Sequence, residues 1–144
     1  MKLLDIDRDT LLKPLQAVSG IVERRHTLPI LSNVLLETSE KELKLLATDL
    51  EIQVATEATL SKAAKSHAIT VSARKLQDIL RSLPEQAPVS FEAQESKLVV
   101  RAGKSRFNLQ TLPAEDFPRL AEGTGEATTV TVAQKELKRM LQLV

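Results

Sequence analysis

The 144-residue sequence contains no cysteine, no tryptophan and no tyrosine; its aromatic side chains are three phenylalanines, and it has only four glycines. Without cysteine there are no disulfides and no thiolate ligands, so a fold must rest on its core. A chain of this length removes about two-thirds of its surface from water, enough for one domain or one domain and part of another. The cysteine-free composition and a start (MKLLDID) that lacks a signal-peptide pattern point to the cytoplasm. Uninterrupted apolar runs reach only three residues, as in Val34–Leu36. A bilayer crossing needs about 18, so no membrane span is expected.

Catalytic patterns are lacking too. His26 and His67 stand in no metal-ligand spacing, Gly123–Gly125 is a bare GxG, and neither GxxxxGK[ST] nor GxSxG occurs. Asp49 and Glu51 alternate on one side of an expected strand and are the best acid pair, although such alternation also describes a solvated sheet face. No metal, cofactor or catalytic role is therefore expected.

What is present is an internal repeat. Ile6–Leu15 (IDRDTLLKPL), Val71–Leu80 (VSARKLQDIL) and Val132–Leu141 (VAQKELKRML) begin 65 and then 61 residues apart, and each reads as a strand leading into a helix. Leu76, Ile79, Leu80 and Leu83 follow i, i+3, i+4, i+7; Leu137, Met140 and Leu141 repeat the first three terms, and Leu11, Leu15 and Val18 form the stripe of the first copy. Asp7 is its expected cap, Gly20 its stop, and Pro14 lies inside it, where a kink is expected.

Between the helices the apolar period falls to two. Leu43 and Leu45, then Leu50, Ile52 and Val54, alternate with polar residues or alanine, as half-buried antiparallel strands do. After the second helix, residues 89–93, 97–101 and 105–109 read as strands with turns at Glu95–Ser96 and Ala102–Lys104. The unit strand, helix, three strands thus occurs twice, giving an α+β fold with two helices on one side of antiparallel sheets. The expected organisation is a domain over 1–121, a glycine-containing linker over 122–127, and the start of a second domain over 128–144, with a strand from Thr128 to Val132 and a helix from about Gln134. The third copy stops in mid-pattern, so the sequence is expected to be part of a longer chain.

The formal net charge of +1 hides a segregation. The three helical segments hold eight basic residues (Arg8, Lys13, Arg74, Lys75, Arg81, Lys135, Lys138, Arg139) and three acids (Asp9, Asp78, Glu136), a surplus of five; the remainder has twelve basic and sixteen acidic residues. Arg24, Arg25 and His26 add a second basic spot after the first helix. Cations on helix faces are ordinary solvating groups, but their recurrence in all three copies favours a polyanion partner. Contacts of this kind are salt-sensitive and blind to base sequence. With so few aromatics, a stacking platform for single strands or RNA is missing.

LLKPL at 11–15, TLPILSN at 27–33, ATDLE at 47–51, ARK at 73–75, GKSRF at 103–107 and LPAEDFP at 112–118 run in an order that resembles the bacterial sliding clamp family, the beta subunit of DNA polymerase III. The resemblance implies the DNA-clamp fold and a non-enzymatic processivity factor whose parent has three domains and closes as a head-to-tail homodimer ring around duplex DNA. It implies partnership with a clamp loader and the polymerase, and a partner-peptide pocket lying between later domains. By similarity Arg25 and Arg74 are DNA contacts. Lys75, Ile79, Arg81, Lys104, Arg106, Phe107 and Leu109 are the first-domain side of the dimer interface, although an alternating strand phenylalanine such as Phe107 also fits a core. With Phe107 and Leu109 uncovered by a third domain, this chain is expected to be monomeric or weakly associating. A stand-alone α+β module binding RNA or another polyanion is the alternative; a small enzyme using Asp49 and Glu51 is a third.

Overall fold

The computed structural model describes residues 1–22, 28–120 and 126–144. Strand β1 (Lys2–Asp7) leads into helix α1 (Arg8–Ser19), followed by a 3-10 turn at Pro29–Ser32 and strands β2 (Asn33–Thr38), β3 (Glu42–Thr48) and β4 (Gln53–Thr59). Strand β5 (His67–Ser72) leads into α2 (Ala73–Ser82), then β6 (Pro88–Gln94), β7 (Lys97–Ala102) and β8 (Ser105–Pro113). The twofold repeat of strand, helix and three strands is therefore present.

All pairings are antiparallel, in the order β1-β6-β7-β8-β5-β2-β3-β4. The opening strand of each unit pairs with the other unit's meander: β1 lies on β6 (Ile6 opposite Val89), and β5 lies on β2 (Leu36 opposite Ile69) while keeping β8 of its own unit on its other edge. Strand β8 is long enough to serve both halves, pairing with β7 over Ser105–Gln110 and with β5 over Thr111–Pro113. On the far side of β1 the Leu3 carbonyl accepts from the Lys65 amide.

The helices lie side by side on the sheets, α1 over β3 and β4, α2 over β2, β5 and β8. Their stripes close the core: Leu11, Leu12, Leu15 and Val18 from α1 meet Ala73, Leu76 and Leu80 from α2, with Val34, Leu36, Leu43, Leu45, Phe91, Leu98 and Val100 from the sheets. Burial of these side chains contributes about 1.5–3 kcal/mol each relative to exposure. Alternation explains the run Val34–Leu36: Val34 and Leu36 face the helices, whereas Leu35 turns outward with its partner Leu46 and is covered by Phe117. The LPAEDFP segment is thus a strap over the outer sheet face, tied by an Arg119–Glu37 ion pair and by the Leu120 amide donating to Gln53 Oε1 at 2.9 Å.

Three local expectations are corrected. Leu50 and Ile52 are exposed and belong to a turn before β4, not to a half-buried strand. Asp49 Oδ1 accepts from the amides of Glu51 and Ile52, and the Thr48 hydroxyl donates to the Ile52 carbonyl, which removes these groups from the ladder and holds Leu50 at φ 82°. Residues 128–132 form no strand. Helix α3 (Gln134–Gln142) does form, yet Leu137, Met140 and Leu141 are exposed. Helix α1 runs through Pro14 unbroken, anchored by Leu11 and Leu12 before it and by Leu15 and Val18 after it.

Candidate nucleic-acid interface

The two helices are antiparallel, so the end of α1 lies beside the start of α2. There a groove of about 630 Å³ opens, lined by Ser19 and Val22, by Ser32 of the 3-10 turn, and along α2 by Arg74, Lys75, Asp78 and Arg81 among others. Ser72 caps α2, its Oγ accepting from the Lys75 amide at 3.3 Å. The first turn carries Arg74 and Lys75 and no acid. Free amides give a helix N-terminus a partial positive charge, so cations there oppose the dipole, whereas an anion would be held by both. Arg74 approaches Asp78 at 4.0 Å, but both side chains are 62% exposed and the pair is weak. The positive charge of the groove is consequently open to solvent.

Arg74, Lys75 and Arg81 are exposed on the helical side, as the Leu76/Leu80 stripe requires. Arg25 lies within residues 23–27, outside the described residues; the described chain reaches Val22 on the groove before them. Arg8, counted above among the surface cations of the helices, is only 17% exposed and is committed internally. Its Nε donates to the Leu80 carbonyl at 2.9 Å and its Nη1 to Asp9 Oδ1 at 2.6 Å. Sequence reading missed this role, and the signal was the Asp7-Arg8-Asp9 run at the helix start, where one acid caps and the other holds the arginine.

The remaining residues fall on a second surface, where α2 meets β8. Ile79 and Phe107 are partly buried against the core; Lys104 and Arg106 are exposed, Lys104 in the turn after β7 and Arg106 on β8. Leu109 does not await cover: it is 5% exposed, opposite Leu98 in the chain's own core. Period-two alternation places Phe107 and Leu109 on the same inward side, and the core reaches fully only to Leu109. Among the described strands, none pairs with the second edge of β8 over Ser105–Gln110, so its backbone groups there are open to an added strand.

Residues 1–121 match the family described as DNA polymerase III beta subunit, N-terminal domain. The chain belongs to that family. The beta sliding clamp of Pseudomonas aeruginosa is 50% identical over 136 residues, covering 94% of this chain and 37% of that protein. The beta sliding clamp of Escherichia coli is 43% identical over 137 residues, 95% of this chain and 37% of the relative. The crystal structure of the Pseudomonas aeruginosa DNA polymerase III subunit beta superposes with a TM-score of 0.92 at 48% identity, over 99% of this chain and 38% of that one. The chain thus spans little more than a third of the length of these three sliding clamps, and the two-helix, eight-stranded domain is the clamp fold.

Proposed function

We propose that this chain supplies the DNA-facing first domain of a ring-shaped sliding clamp, which tethers a replicative polymerase to duplex DNA without reading its sequence. The observation that carries the reading is the open groove of Arg74, Lys75 and Arg81, two cations in a first turn without an acid and a third in the last turn of the same helix. Phosphates would be held electrostatically, and with no tryptophan or tyrosine in the chain nothing stacks on bases. Such contacts are weak and mobile, and retention on DNA would come from encirclement. Arg25 would add to the same contact.

The α2–β8 surface is the proposed half of a head-to-tail homodimer interface. Lys75, Ile79 and Arg81 from α2, with Lys104, Arg106 and Phe107, would offer side chains, while Leu109 would offer only its backbone edge. The protein is non-catalytic in this reading, cytoplasmic, and loaded onto DNA by a clamp loader for DNA polymerase III.

The test is a titration of labelled duplexes of different sequence at several salt concentrations. The 144-residue chain is expected to bind all duplexes alike, with Kd in the ~10⁻⁴ to 10⁻⁶ M range of non-specific binding, and log affinity falling against log salt with a slope of about −3 for three neutralised phosphates. Arg25→Ala with Arg74→Ala should weaken every duplex equally and flatten the slope by about two. Sequence-selective or salt-insensitive binding, or a preference for RNA, would overturn the reading.

A further inference from the structure

The two poles of the helix pair differ. At one, the end of α1 and the start of α2 leave the basic groove open; at the other, the start of α1 is fastened to the end of α2. Three hydrogen bonds cross between them, and a fourth, from Arg8 to Asp9, braces them within α1. Besides the two from the Arg8 side chain, the Arg8 amide donates to the Ala87 carbonyl at 2.8 Å, and the Gln86 amide donates to Asp9 Oδ2 at 3.0 Å. Gln86 is held at φ 57°, a left-handed conformation that aims its amide at the carboxylate. Asp9 therefore uses one oxygen to hold Arg8 and the other to hold the chain leaving α2. The guanidinium sits at the carbonyl end of α2, where the helix dipole favours a cation.

The carbonyl that Arg8 grips belongs to Leu80, between Ile79 and Arg81. Resting on the proposed function above, we infer that Arg8 and Asp9 are positioning residues: they never touch DNA but set the last turn of α2, and with it the direction in which Ile79 and Arg81 leave the helix. The second unit has no counterpart. Ala73 stands where Arg8 does, and the Leu15 carbonyl is met by Ser19 Oγ of its own helix at 2.6 Å. The closed pole thus carries a fixed cation, and the open pole carries cations free to meet phosphate.

Charge and position have opposite consequences for Asp9, which makes the inference testable. Asp9→Asn removes a negative charge, so electrostatics alone gives tighter DNA binding. Loss of the fastening gives weaker binding, by about twofold to fivefold, at most what one net hydrogen bond contributes. Arg8→Gln should weaken binding while leaving the salt slope unchanged, whereas loss of a true phosphate contact lowers it by about 0.9. In parallel, NMR of the 144-residue chain should show the Ile79 methyl and Arg81 Nε–H resonances shifting in both variants and staying put in Lys13→Gln, an exposed cation of α1. If Arg8→Gln does not fold, Arg8→Lys, which keeps the charge but loses the fork, carries the same expectation. Tighter binding by Asp9→Asn, a reduced slope in Arg8→Gln, or unmoved Ile79 and Arg81 resonances would overturn the inference. Should the parent chain bind no duplex, the DNA reading fails by itself and the resonances alone decide the role of Arg8.

Discussion

Asp7 shows how much a single side chain can organise. It sits in extended backbone at the foot of α1, where Oδ1 accepts from the Thr10 hydroxyl at 2.6 Å and Oδ2 from the Thr10 amide at 3.0 Å. These bonds, the hydroxyl first, hold its carboxyl below the usual carboxylate range. A depressed folded value means that ionised Asp7 stabilises the fold fully above the unfolded pKa of about 4, and that this is lost as pH falls through the folded value. Asp7→Ala should therefore cost about 1 kcal/mol at neutral pH. Urea midpoints of the two proteins should converge when measured at about pH 2 to 3; a constant difference would show that the loss is one of packing. Gly103 suits the β7–β8 turn, which holds it at φ +59°, a conformation that glycine adopts without strain.

At the scale of elements, α2 carries a conflict between stability and binding. Its apolar stripe of Leu76 and Leu80 is buried, its Ser72 cap is in place, and Arg81 suits the last turn, yet Arg74 and Lys75 oppose the dipole in the first. Replacing either by Glu should stabilise the fold by about 0.3–1 kcal/mol. The same change should weaken duplex binding strongly, because it cancels the positive charge of the groove lining. Thermal melts paired with DNA titration of Arg74→Glu and Lys75→Glu check both halves, and a loss of stability would mean that these side chains are held in place by contacts within the chain. Helix α3 has the same apolar spacing as α2, but its Leu137, Met140 and Leu141 are exposed among the described residues. Nine residues are fewer than the ~12–15 that hold a helix in water by themselves.

For the whole molecule, the pairing of β1 with β6 and of β5 with β2 joins the two units into one sheet among the described residues. The open edge of β8 is the proposed place of association. It is flanked by Lys104 and Arg106, and an antiparallel pairing of two identical edges would bring like charges together. The 144-residue chain is accordingly expected to be monomeric or weakly associating in light scattering up to tens of micromolar. A stable dimer that survives high salt would show that apolar contacts outweigh this repulsion.

The repeat, the helix stripes, the cap at Asp7 and the exposure of Arg74 and Arg81 were determined by the sequence alone, because each depends on spacing along one element. The fold class followed, since three alternating segments after each helix leave few other arrangements. Tertiary structure decided what spacing cannot carry. Which meander β1 and β5 join depends on edges dozens of residues away, and so does the fate of Leu109, an inward residue that proved to be covered by Leu98 and its neighbours. Leu50 and Ile52 kept the period of a strand, yet side-chain bonds from Thr48 and Asp49 bent the backbone out of the ladder. Arg8 reads in the sequence as one more helix cation; only the approach of α2, 72 residues further on, turned it into the partner of a buried carbonyl.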